Sequence, residues 1–235
     1  MRNDQQRTAC IDIGGTGIKA MIVDREGKPL SERVRIETPR PAVPEAVLEV
    51  VVEVARKAGE FDRIACGFPG VVEAGVVRTA PNLDGAWGGY RLESDLEFRL
   101  GRPARVANDA DVHGLAVIEG KGVEMVLTLG TGMGSALYVD GHCAWNLELG
   151  HLPSGWGTDT YEMRISDRER KSLGKKKWRR RVIAVVERLA PIFNFRRLYL
   201  GGGNATRLDP AEMPPYVVLV DNDAGILGGV KLWQP

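Results

Sequence analysis

Apolar residues in this chain come in short runs punctuated by glycine, and twice a run stops at glycines only for another to start at once. Ile11-Asp12-Ile13 is followed by Gly14-Gly15-Thr16-Gly17 and then by Ile18 to Val23. Leu127-Thr128-Leu129 is followed by Gly130-Thr131-Gly132-Met133-Gly134-Ser135 and then by Ala136 to Val139. β-like runs on both sides of so short a link predict a hairpin in each case. A phosphate loop of the kind that opens a helix would need a helical period after the glycines, and neither has one.

Around the first turn, Thr8 to Glu37 alternates apolar runs with turn residues such as Arg25-Glu26-Gly27-Lys28, which predicts three antiparallel strands. Pro44 and Glu45 suit a first helical turn, Val47, Val51, Val54 and Ala58 recur at helical spacing, and Gly59 ends the helix. A strand at Arg63 to Gly67, an extended piece at Val71 to Val77, the loop Ala80 to Trp87, a helix at Leu92 to Leu100 and a strand at Ala104 to Ala107 follow. The same grammar then restarts. Asn108 caps a helix with Val112, Leu115, Ala116 and Glu119 on one face, and strands flank the second glycine turn. After a loop at Pro153 to Thr160 come a long helix at Trp178 to Ile192, a strand at Arg197 to Leu200, the turn Gly201-Gly202-Gly203, a strand at Val217 to Val220 and a last helix from Asp221. This predicts a duplicated α/β unit with a central cleft: an N-terminal lobe, 1–107, completed by a C-terminal helix at 222–235, and a second lobe, 108–221.

Composition narrows the partners. With 235 residues, 43% hydrophobic content and a formal charge of +1, the chain is expected to be soluble, with no overall field favouring nucleic acid or a membrane. No apolar run reaches spanning length and the polar start does not read as a signal peptide, so a cytoplasmic location is expected. Cys10, Cys66 and Cys143 are odd in number, far apart and set in apolar runs or beside a glycine turn, and are expected to be buried free thiols.

Glycine lets consecutive amides approach an anion, so two matched turns point to one phosphate chain held from both sides, with the Thr16 and Thr131 hydroxyls as further donors. Asp12, at the end of the first strand, can hold Mg²⁺ through water beside those phosphates or can cap the turn. Lys19, in the next strand, reads equally as a solvated edge residue and is secondary. Asn108-Asp109-Ala110-Asp111 lies where a strand becomes a helix. There a carboxylate can accept the proton of an attacking hydroxyl, or Asn108 and Asp109 can simply cap the helix. Asp111 points to another helix face, and His113, inside the helix, reads as structural. Glu148 and His151 are spaced to bind neighbouring hydroxyls of a polyol, and also suit a metal, although no cysteine cluster completes a zinc set. The run Lys171, Lys175, Lys176, Lys177, Arg179, Arg180, Arg181 around Trp178 reads either as an anion patch for a long polyphosphate or nucleic acid or as a solvated helix start, with the second favoured.

These motifs, with Phe68-Pro69-Gly70-Val71-Val72, Val77-Arg78-Thr79-Ala80-Pro81-Asn82 and Gly201-Gly202-Gly203, occur in the order of the ROK family of sugar kinases, which the chain resembles nearly end to end. Asp111 and the Val-Arg-Thr-Ala stretch lean toward the polyphosphate-glucokinase branch. The resemblance implies an actin-like, ribonuclease-H-like fold, a homodimer, Mg²⁺, and phosphoryl transfer from polyphosphate, ATP or both to the 6-hydroxyl of glucose. It implies Asp109 as base and Asn82, Asn108, Glu148 and His151 as sugar contacts, with Glu162 replacing a family glutamate. The phosphate cradle it implies is Asp12, Gly14, Gly15, Thr16, Gly17 and Lys19 with Gly130, Thr131, Gly132 and Gly134. Gly202 and Gly203 would lie near an adenosine, and Lys175, Lys176, Lys177, Arg179 and Arg180 would meet a polyphosphate tail. The cysteine cluster that binds zinc in many members is absent here, so no zinc is expected. Some members are repressors or catalytically silent sugar binders. Repressors carry a helix-turn-helix module, for which the eleven residues before Asp12 are too few, so an enzyme is expected.

Overall fold

A computed structural model of the chain describes residues 6–155, 157–221 and 224–234. The chain divides into two compact units, Met1–Ala116 with Gly225–Pro235, and Val117–Ala224. In the first, β1 (Thr8–Ile13), β2 (Ile18–Val23) and β3 (Val34–Ile36) form an antiparallel meander, followed by α1 (Pro44–Ala58) and β4 (Arg63–Phe68). A small hairpin of β5 (Val72–Glu73) and β6 (Val76–Val77), then α2 (Leu92–Leu100), β7 (Ala104–Asn108) and α3 (Asp109–Val117) complete it. The sheet order is β3-β2-β1-β4-β7, with β4 parallel to both β1 and β7.

The second unit repeats this plan. β8 (Val123–Leu129), β9 (Met133–Val139) and β10 (His142–Ala144) form the meander. The helices α4 (Tyr161–Ile165), α5 (Asp167–Leu173) and α6 (Lys175–Phe193) precede β11 (Arg197–Gly201) and β12 (Val217–Leu219). The order β10-β9-β8-β11-β12 has the same antiparallel and parallel joins as the first sheet, so the duplicated α/β plan is present. Within the first unit, α1 lies on β1, β2 and β3 through Val47, Leu48, Val51, Val54, Ala55 and Ala58. Each fully buried Val or Leu there contributes about 1.5–3 kcal/mol, which outweighs the weak helix propensity of its valines. Trp178, Val182, Val185, Val186 and Leu189 of α6 play the same part in the second unit.

Four expectations are corrected. Val71 to Val77 is not one extended piece, because Ala74 and Gly75 take positive φ and fold it into the β5–β6 hairpin. α3 ends at Val117, so Glu119 is off its face; the Glu119, Gly120 and Lys121 amides turn instead to the buried Glu124 carboxylate. The C-terminal segment is one α-helical turn, α7 (Ala224–Leu227), followed by a 3-10 stretch at Gly228–Trp233; residues 222, 223 and 235 of the expected helix lie outside the described residues. Gly229 packs close against the sheet there: a Cβ at this position would stand 3.0 Å from Ala65 and 3.1 Å from the Cys10 sulfur. α4 and α5 fill ground from which no helix was expected.

No helix among the described residues is long and apolar enough to cross a membrane. None of the three cysteines is in a disulfide; Cys10 and Cys66 are buried as expected, Cys143 is only half-buried because it lies on the edge strand β10, and burial pushes the Cys10 thiol up to about 12.

Candidate active site

In the first unit the carboxyl ends of three neighbouring parallel strands bring the candidate residues together. Asp12 of β1 stands opposite Gly67 of β4, and Gly67 opposite Ala107 of β7, one residue before Asn108. Strands are spaced about 4.8 Å apart, so Asp12 and the β7 end are separated by roughly 10 Å. Gly67 between them lies close under the next helix, since a Cβ there would be 3.4 Å from the Asp109 Cα. Ligands of parallel α/β sheets bind at such strand ends.

Asp12 pairs across the hairpin with Lys19, whose ammonium lies 2.7 Å from Oδ2, both side chains being largely covered. Lys19 is thus a fixed counter-charge at the turn rather than a solvated edge residue. The turn itself closes by Gly14 N–H donating to the Gly17 carbonyl at 3.1 Å. Its other carbonyls are taken by side chains of one segment. Thr38 Oγ1 donates to Gly14 O at 2.5 Å, Arg40 to Gly15 O at 2.7 Å and Arg35 to Thr16 O at 3.1 Å. Arg35, Thr38 and Arg40 escaped the sequence reading, because nothing in their spacing foretells a contact some 20 residues back along the chain.

Asp109 opens α3 and is half-buried, while Asn108 is buried. The Asn108 carbonyl oxygen accepts the Ala110 N–H at 2.9 Å and the Asp111 N–H at 3.3 Å, the expected cap, and its amide donates to Gly70 O at 3.1 Å. The side chain of Asn108 therefore ties the Phe68-Pro69-Gly70 turn to the start of α3, and the Asp109 carboxylate itself accepts the Ala110 N–H at 2.8 Å. Asn82, half-buried, sits on a loop whose following residues are pinned to Ala42. Asp84 accepts the Ala42 N–H, and the Trp87 indole donates to Ala42 O while its ring packs on Phe68 and Tyr90. His113 is buried behind this site, and among the described residues its Nε2 has no hydrogen-bond partner. Burial drives its pKa down to about 4, so the ring is neutral.

In the second unit the matching strand ends hold the other candidates. Thr128 of β8 stands opposite Gly201 of β11, which sets the Gly130 turn beside Gly201-Gly202-Gly203. Gly202 has φ +82 and a Cβ there would meet Leu129 backbone atoms at 2.6–2.7 Å, whereas Gly203 faces open space. The Gly130 carbonyl accepts from the Asp167 N–H and the Asn204 amide, both at 3.1 Å. Glu162 lies against the turn: its carboxylate would be 2.2 Å from a Cβ at Gly132, and it accepts the Met133 N–H at 3.3 Å. A Cβ at Gly150 would be 3.4 Å from that of Glu162, so Glu162 joins the glycine turn to the Glu148–His151 turn. Leu149–His151 is a single 3-10 turn begun by Glu148, and three residues per turn bring Glu148 and His151 to one side. Ser135 fixes it, accepting the Leu149 N–H at 3.0 Å and donating to Leu147 O at 2.5 Å.

The basic run is divided by its own helix. Trp178 is wholly buried with its indole donating to Ile165 O at 2.9 Å, and Arg179 is bound to Arg207 O and near Asp209 and Glu212. Arg181 pairs with Glu169 and Lys171 with Asp167. Lys175, Lys176, Lys177 and Arg180 remain exposed at the start of α6. Among the described residues no three His, Cys, Asp or Glu side chains gather as a metal cluster.

Residues 8–158 match the model of the ROK family. The chain is 36% identical to a polyphosphate glucokinase from Mycobacterium tuberculosis over 93% of its own length and 88% of that protein. Among solved structures it is similar to an inorganic polyphosphate/ATP-glucomannokinase from Arthrobacter sp. strain KM. The TM-score is 0.88 at 35% identity, covering 96% of this chain and 97% of the other. A ROK family glucokinase from Streptomyces griseus, solved in complex with glucose and AMPPNP, shares the fold with a TM-score of 0.78 at 22% identity, covering 96% and 98%.

Proposed function

The chain belongs to the ROK family, and we propose that it is a glucokinase that moves a phosphoryl group from inorganic polyphosphate or ATP to the 6-hydroxyl of glucose. The observation that carries this reading is its likeness, over nearly the whole chain, to a polyphosphate glucokinase. The geometry supports it, because three adjacent strand ends offer a glycine turn, an ion-paired carboxylate and a second carboxylate at a helix start.

Asp109 accepts the proton of the 6-hydroxyl as its oxygen bonds to the terminal phosphorus and the bridging P–O bond of the donor breaks. The shortened phosphate chain leaves with the electron pair of that bond. Asn108 holds Asp109 in register, and Asn82, Glu148, His151 and Glu162 contact the sugar hydroxyls. The amides of the two glycine turns face the phosphates, and Gly202 and Gly203 lie by the adenosine when ATP is the donor. One Asp12 oxygen is committed to Lys19, which leaves the other to hold Mg²⁺ through water, a fit for an ion that keeps most of its waters. Mg²⁺ held there would supply positive charge against the donor phosphates. The exposed cations Lys175, Lys176, Lys177 and Arg180, with Arg179 behind them, draw in a polyphosphate tail. The enzyme acts in the cytoplasm as a homodimer.

Asp109→Asn tests the role given to the base. Removing a general base costs about 10²–10⁴-fold in rate, so turnover should fall by that range while calorimetry still finds glucose binding. A variant with near-normal turnover would refute the assignment.

A further inference from the structure

We propose that Arg35 and Arg40 form a cationic subsite on the first glycine turn that binds phosphoryl groups of a polyphosphate chain beyond those that ATP possesses. This inference rests on the reading of the chain as a polyphosphate-using kinase.

Both guanidiniums are locked to the turn by donating one N–H to a turn carbonyl, Arg35 to Thr16 O and Arg40 to Gly15 O. The remaining N–H groups of each fork are thereby aimed rather than left to swing, and a planar fork suits phosphate oxygens. Arg35 lies directly over Gly17: a Cβ there would be 2.6 Å from two of its guanidinium nitrogens. The space that glycine opens at this position is filled by a cation, so an anion reaching that face of the turn meets the guanidinium.

The charge balance is one-sided. Arg35 makes no ion pair among the described residues. The Asp84 carboxylate stands 3.7 Å from Arg40, and its Oδ2 already accepts the Ala42 N–H at 2.8 Å. Both arginines are exposed, with 61% of the Arg40 side chain open to solvent. Two cations rigidly seated on a loop whose Gly15 and Thr16 amides have no acceptor among the described residues form a surface built for repeated negative charge. ATP ends its charge after three phosphoryl groups and continues as an uncharged nucleoside. A linear polyphosphate carries a charge at every unit, so it can fill the turn amides and still present charge to the two guanidiniums bound at the turn carbonyls.

The test is equilibrium binding by calorimetry to the full chain, with ATP, tripolyphosphate and long-chain inorganic polyphosphate as separate ligands. In Arg35→Gln/Arg40→Gln, long-chain polyphosphate should bind at least about tenfold more weakly, the worth of one charge-assisted contact. ATP and tripolyphosphate should weaken by less than about threefold on the same scale. Polyphosphate binding by the variant should also become less sensitive to salt. Arg35→Lys/Arg40→Lys keeps the charge and should recover part of the loss, which separates charge from a misfolded turn. Equal weakening for all three ligands, or an unchanged affinity for the long chain, would overturn the subsite. A parent protein that binds long-chain polyphosphate but phosphorylates no sugar with it would count against the kinase reading alone.

Discussion

The Asp12 carboxylate, proposed to stand beside a phosphate chain, is held by Lys19 at 2.7 Å. The glycine motif and Asp12 are visible in the sequence because both are local. Lys19 looked like an edge charge there, since only the Asp12–Lys19 strand register shows that the two face each other. Arg35, Arg40 and Ser135 were illegible for the same reason: their contacts are long-range and depend on side-chain reach. His113 gives this scale its own test. Its pKa falls from 6.5 to about 4 on burial, so the unfolded chain takes up a proton that the folded chain refuses between those values. Stability is intact above pH 6.5 and is lost as pH falls toward 4. The loss is about 3 kcal/mol at 1.36 kcal/mol per unit. Thermal melting across that range should show the slope, and His113→Gln should flatten it; an unchanged slope would mean another group is responsible.

At the scale of elements, both glycine hairpins, α1, α2, α6 and the central strands were readable from period and punctuation. Two short helices were not. α4 and α5 have five and seven residues; α5 buries nothing, and α4 buries only the pair Tyr161 and Ile165, too short a stripe to reveal a helical period. Their signal was in the caps: Thr160 accepts the Met163 N–H, and Ser166 accepts the Glu169 N–H in a Ser-x-x-Glu pattern. They matter for the site because α4 carries Glu162 to the second glycine turn and α5 begins at Asp167, whose N–H holds Gly130. The junction of β8 and β11 at that turn depends on one glycine. Gly202→Ala combines positive φ with a backbone clash and should cost at least about 2 kcal/mol of stability. Gly203→Ala, in open space, should stay within about 0.5 kcal/mol. Denaturant titrations of the two variants compare them directly, and equal effects would contradict this account of the turn.

For the whole molecule, the repeated grammar of the sequence predicted two copies of one α/β plan, and the two five-stranded sheets have it. Duplication explains why two glycine turns of one kind exist: each follows the first strand of its sheet, so each unit contributes one. The C-terminal segment returns to the first unit, where Trp233 packs under Arg63 and Arg105 and donates to Ile64 O. A charge of +1 spread over 235 residues left donor preference illegible, because the cations that bear on it are local and positioned by folding. The central claim is phosphoryl transfer to a sugar, and phosphorus NMR of the purified chain with glucose, Mg²⁺ and either polyphosphate or ATP tests it most directly. The account predicts a glucose 6-phosphate resonance that grows with either donor and is absent without protein. No sugar phosphate from either donor, with glucose still bound, would contradict it and leave a catalytically silent sugar-binding protein in its place.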